Sequence, residues 1–130
     1  MKLLKNYFKI NNYQELAYSQ AFAKQNRKKI PGVVFLSGLK SDMEGTKAIY
    51  LHKWALKKGI SFLRFDYRGH GNSSGSYEDT SLADWLEDTK KIIMNLTKGP
   101  QILVGSSLGG WLSLLFAERY PKKVSGIIGI

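Results

Sequence analysis

Ile102-Leu103-Val104-Gly105-Ser106-Ser107-Leu108-Gly109-Gly110-Trp111 decides how the rest of the chain is read. A short apolar run stops at Gly105, and a second apolar run of helical length starts at Leu108. The first reads as a buried strand, Gln101 to Val104. The second reads as a helix, Leu108 to Tyr120, apolar nearly all round and therefore expected deep in the protein. Between them Gly105, Ser107 and Gly109 form a G-x-S-x-G pattern. A serine hydroxyl is a poor nucleophile unless a tight, strained strand-to-helix turn thrusts it clear of the sheet towards a base. Glycines two before and two after the serine remove side chains that would collide in such a turn. Only Ser107, not Ser106, has both glycines in place, so Ser107 is the candidate nucleophile and Gly105 and Gly109 its elbow glycines. A glycine-lined turn that merely lets strand and helix pack closely has the same composition. The strand before and the helix after favour the elbow.

Outward from this stretch, glycine and proline divide the chain into alternating strand-like and helix-like pieces. Tyr7 to Ile10 and Glu15 to Gln20 read as a hairpin around Asn11 and Asn12. Gln25 to Lys29 is a basic loop. Gly32 to Leu36 and Ser61 to Phe65 are buried strands. Thr46 to Lys58 is helical, with Thr46 as cap and Gly59 just past the end. Asp66 to Tyr77 is a polar, glycine-rich loop. Leu82 to Leu96 is a helix started by Ser81 and stopped by Gly99 and Pro100, with Glu87, Lys90 and Lys91 on its wet side. Val124 to Ile130 is a last strand. Buried-type strands alternating with helices predict an α/β fold: a mostly parallel sheet of about six strands, helices on both faces, and an antiparallel hairpin at its start. Residues 1–130 read as a single domain.

An oxyanion needs a second donor from another loop. Ser37-Gly38-Leu39 follows the strand expected beside the elbow, so the amide of Leu39 is paired with that of Leu108 as candidate oxyanion hole; a plain turn at Gly38 and Leu39 is the alternative. Asp66-Tyr67-Arg68-Gly69-His70-Gly71-Asn72-Ser73 looks like a dinucleotide fingerprint and fails, because Ser74 stands at the sixth position and no helix follows directly. Asp66 and Arg68 are expected to brace this loop. His70, at the carboxyl end of a strand, is a minor candidate for a base. His52, beside Lys53 and Lys57, is expected in solvent.

Composition narrows the function. The chain has 130 residues, no cysteine and two histidines, which excludes thiol chemistry and cysteine-ligated metal and leaves no metal site or cofactor expected. The formal charge of +10 invites a nucleic-acid reading. However, residues 1–30 hold seven Lys/Arg against one acid, and the remaining hundred carry thirteen bases against nine acids, an ordinary mixed surface. No nucleic-acid partner is expected. No apolar run reaches the roughly 18 to 20 residues of a membrane span. Met1 to Tyr13 has no apolar segment ending in small residues, so no secretory signal is read and the expected location is cytoplasmic.

At these residues the sequence resembles the α/β-hydrolase superfamily. Gly45-Thr46-Lys47-Ala48, Arg64-Phe65-Asp66-Tyr67 and Gly99 to Trp111 are similar to its mitochondrial acyl-protein thioesterase branch, whose members remove palmitoyl groups from cysteine and cleave acyl glucuronides. The resemblance implies a serine esterase or thioesterase. Ser107 would be the nucleophile, with Leu39 and Leu108 as oxyanion donors, and the substrate a small-molecule or acyl-protein ester or thioester. In this superfamily the acid and the histidine follow the serine in chain order. Neither can be carried over onto a residue here, so the chain is expected to be the N-terminal part of the domain, a truncated fold in which activity is incomplete. An inactive remnant or pseudoenzyme, and an acyl-binding module without turnover, are the other readings. A complementary C-terminal half, or self-association through the exposed apolar last strand, is the expected macromolecular partner.

Overall fold

The computed structural model describes residues 3–130. Met1 and Lys2 of the basic start therefore lie outside the described residues. The polar turn reverses the chain between β1 (Asn6–Lys9) and β2 (Glu15–Ala21). Asn11 Oδ1 accepts hydrogen bonds from the amides of Tyr13 and Gln14, both at 2.8 Å. There follow β3 (Gly32–Leu36), α1 (Thr46–Lys58), β4 (Phe62–Phe65), α2 (Leu82–Leu96), β5 (Gln101–Gly105), α3 (Leu108–Arg119) and β6 (Val124–Gly129). They build one six-stranded sheet in the order β1-β2-β4-β3-β5-β6. β1 and β2 pair antiparallel, as do β2 and β4, while β4, β3, β5 and β6 run parallel. The fold is α/β, as the alternation of apolar runs predicts.

β3 and β4 are buried at every position, because helices cover both faces of the sheet there. On one face α1 sets Ala48 and Ala55 against Val33, Phe35 and Phe62. On the other, Trp85, Ile92 and Ile93 of α2 and Leu112 and Phe116 of α3 pack on Val34, Leu36 and Leu103. Each valine, leucine, isoleucine or phenylalanine among them, once buried, contributes about 1.5–3 kcal/mol. α2 begins with a capping box. Ser81 Oγ accepts from the Asp84 amide, and Asp84 Oδ2 accepts from the Ser81 amide at 3.0 Å. α1 ends at Gly59, whose φ of 70° is the left-handed value that favours glycine.

Two local expectations change. Thr46 does not cap α1; Gly45 occupies the cap with no side-chain bond, and Thr46 is already helical. α3 does not lie deep on all sides. Its buried stripe is Gly109, Leu112, Ser113 and Phe116, while Trp111 and Leu114 are 54% and 62% exposed. Apolar composition alone does not bury a helix that has the sheet on only one side. β6 is an edge of the sheet, and Ile128 is exposed on it.

Candidate active site

β5 delivers the chain to Ser107 at the carboxyl end of the parallel strands. Ser107 has φ 53° and ψ −114°, a backbone state that L residues rarely hold, and its side chain is exposed. Several bonds fix this bend. The Ser106 amide donates to the Leu36 carbonyl at 3.0 Å, the Ser107 amide to the Ile130 carbonyl at 2.9 Å, and the Gly110 amide to the Ser107 carbonyl at 2.8 Å. The two glycines are needed sterically. A Cβ on Gly105 would fall on the Gly109 carbonyl group, and a Cβ on Gly109 would run into the backbone carbonyls of Leu36 and Ser37. With both Cβ atoms absent, the first turn of α3 sits directly on the ends of β3 and β5.

The loop leaving β3 lies against this bend. A Cβ on Gly38 would stand 3.7 Å from Ser107 Cβ and 3.3 Å from the Ser106 carbonyl oxygen. The structure thus brings Gly38 against Ser106 and Ser107. Among the described residues, the amides of Leu39 and Leu108 donate to no acceptor. The loop is held from beneath by Tyr67, whose buried hydroxyl donates to the Ser37 carbonyl at 2.8 Å.

Asp66 and Arg68 do brace the glycine-rich loop. Asp66 is buried; its carboxylate accepts from the Met43 amide at 2.7 Å and from the Asn72 amide at 2.9 Å, joining the loops that leave β3 and β4. Burial raises its pKa, against the pull of those two amide bonds. Arg68 donates to Asp88 through Nη2 at 2.8 Å, and its amide donates to the same carboxylate at 2.8 Å. Asp88 is fully buried, and burial raises its pKa while Arg68 opposes the shift. The sequence reading missed Asp88. The signal was present, since Trp85, Asp88 and Ile92 follow the three- and four-residue steps of the buried stripe.

His52 is not in solvent. It is 1% exposed, and its Nδ1 accepts from Arg64 Nε at 2.8 Å. Burial, then the adjacent Arg64 charge, lowers its pKa to about 4. Ala48, His52 and Ala55 share the inner stripe of α1, where two alanines leave room for the ring. His70 is also buried, with Nδ1 3.1 Å from the Arg68 carbonyl oxygen and the rings of Tyr67, Tyr77 and Trp85 packed edge-on around it. Among the described residues neither histidine is hydrogen-bonded to Ser107, and no group of three His, Asp or Glu converges in a way that holds a metal ion. No helix among them is long and apolar enough to cross a membrane.

Comparison with known proteins agrees with this architecture. The family described as serine aminopeptidase, S33, matches residues 25–130. Over 107 residues the chain is 44% identical to a palmitoyl-protein thioesterase of Bos taurus, ABHD10, mitochondrial, and 46% identical to that of Homo sapiens; each match covers 82% of this chain and 35% of the relative. The solved structure of mouse alpha/beta hydrolase domain-containing protein 10 superposes with a TM-score of 0.88 at 37% identity, over 97% of this chain and 48% of that one. The chain thus spans about a third of the length of the curated relatives it matches. The expectation of a cytoplasmic location is overturned, because these relatives are mitochondrial proteins. It rested on the lack of a membrane span and of a secretory signal, and neither observation bears on an organelle.

Proposed function

The chain belongs to the serine aminopeptidase S33 family of α/β-hydrolases, and from that premise we propose that it is the nucleophile-bearing part of a serine esterase or thioesterase. Ser107 Oγ attacks the carbonyl carbon of an acyl ester or thioester. Its proton passes to a general base as the C–O or C–S bond to the leaving group breaks, and the leaving oxygen or sulfur takes up a proton. Water then attacks the acyl-serine, releasing the carboxylic acid and restoring the hydroxyl. The free amides of Leu39 and Leu108 receive the oxyanion in both steps, a contribution of about 10²–10³ in rate for each donor. The observation that carries this reading is the strained, exposed Ser107 with Gly38 packed against it, while the amides of Leu39 and Leu108 have no acceptor of their own.

The base and its orienting acid are assigned to residues outside 1–130. His52 is engaged by Arg64, and His70 is locked among three aromatic rings. Acyl thioesters are the favoured substrate class, since the relatives at 44% and 46% identity are named for hydrolysing palmitoyl-protein thioesters. A fluorophosphonate probe, added with imidazole as an external base, tests the assignment by peptide mass mapping. A phosphonyl adduct on Ser107, abolished in Ser107→Ala, is the expected result. Labelling that persists in Ser107→Ala, or no adduct at Ser107, overturns it.

A further inference from the structure

Every parallel strand is entered through a basic connection. Segments 24–31, 57–61, 97–100 and 119–123 precede β3, β4, β5 and β6, and together they hold ten Lys/Arg and no acid. Parallel strands begin at one end of the sheet, so these cations gather at the amino end, opposite Ser107. Glu118, in the last turn of α3, is the adjoining acid. Asp42, Glu44, Asp66, Glu78 and Asp79 lie instead in the connections leaving β3 and β4. Among the described residues none of the ten cations enters an ion pair.

The same end is not uniformly polar. A cavity of about 420 Å³ opens there, floored by Phe62, Leu63 and Leu96. Phe22, 77% exposed, and Ile30, 39% exposed, stand at its mouth, with Lys28 and Lys98 on its rim. Phe22 and Ile30 thus stand exposed together at the mouth of an apolar cavity, with Lys28 and Lys98 beside them. A nucleic-acid duplex would use the cations and leave Phe22, Ile30 and the cavity in water. An anionic bilayer uses both: head groups neutralise the lysines, and the apolar side chains enter the boundary between head groups and acyl chains.

We propose that the amino end of the sheet is a docking surface for anionic lipid bilayers, with Phe22 and Ile30 entering the interface and Lys28 and Lys98 contacting head groups. Docked this way, the chain turns Ser107 towards water, away from the lipid. The surface is built from residues that the proposed acyl chemistry does not touch.

Co-sedimentation with vesicles of phosphatidylcholine alone, and of phosphatidylcholine with phosphatidylglycerol, tests it. Partition onto the anionic vesicles is expected to exceed that onto the neutral ones by about tenfold or more, and to weaken as salt shortens the screening length. The double variant Lys28→Glu/Lys98→Glu is expected to lose about tenfold or more of that partition. Phe22→Ser, which leaves the charge unchanged, is expected to lose about fivefold. All three side chains are exposed, and unchanged melting temperatures check that the variants fold. Equal binding to neutral vesicles, no binding to either, or partition unaffected by the double charge reversal overturns the proposal. A duplex oligonucleotide that displaces the vesicles, together with binding indifferent to Phe22→Ser, reassigns the surface to nucleic acid and overturns it equally.

Discussion

Replacing His52 by glutamine is expected to remove a pH dependence of stability that the buried imidazole imposes on the fold. In the folded chain His52 stays neutral until about pH 4, because burial and the neighbouring Arg64 both disfavour its cation; its ordinary value is 6.5. The unfolded chain therefore takes up this proton first as pH falls. The stability that His52 supports is fully present above its ordinary value, declines as pH falls from there, and declines no further once the folded ring is protonated as well. The slope is at most about 1.4 kcal/mol per pH unit, so the loss across that window is about 3 kcal/mol. For a domain of this size that corresponds to a melting temperature lower by about 12 °C. Asp66 and Asp88 work in the opposite direction. Their carboxyls are raised by burial, so the folded chain takes up those protons first and gains stability as pH falls through the raised values. The clean quantity is thus the difference between wild type and His52→Gln, which removes both carboxylates from the comparison. Glutamine Oε1 can still accept from Arg64 Nε but does not titrate. Urea unfolding followed by circular dichroism from neutral pH to pH 4 should show the wild type losing about 3 kcal/mol relative to the variant. A difference that stays constant over that range would refute the buried, neutral histidine.

Further outcomes follow from other contacts. Asp88→Ala strips the Arg68 guanidinium and the Arg68 amide of their acceptor, and should cost about 3–4 kcal/mol in chemical denaturation. Gly109→Ala places a methyl group on the Leu36 and Ser37 carbonyls. It should destabilise by about 2–3 kcal/mol, read as a lower denaturation midpoint, whereas Gly99→Ala, with nothing near its Cβ site but a φ of 69°, should cost only about 1 kcal/mol. Tyr67→Phe removes the bond that holds the Ser37 carbonyl; about 1–2 kcal/mol of stability should go with it, and fluorophosphonate labelling of Ser107 should slow if that loop carries an oxyanion donor.

Much of the fold could be read from short-range signals. The hairpin, the α/β alternation, the Ser81 cap and the Gly59 terminus each depend on a few adjacent residues, and each stands where the sequence put it. G-x-S-x-G was legible for the same reason, because two neighbouring backbones leave no space for a Cβ at Gly105 or Gly109. What escaped depends on contacts distant in sequence. His52 is buried because Arg64, on another element, supplies its partner. Asp88 is buried because Arg68, twenty residues earlier, reaches it from the loop after β4. The depth of α3 was overstated because periodicity cannot tell how many sides of a helix find something to pack on.

The most direct test of the central claim follows acyl transfer itself. The chain is incubated with a palmitoyl thioester and imidazole, quenched in acid, and mapped by peptide mass. One palmitoyl group in ester linkage on Ser107, absent in Ser107→Ala, is the expected result. Acylation confined to Ser106 or to lysines, or none at all while circular dichroism reports a folded chain, would contradict the assignment of Ser107 as the nucleophile.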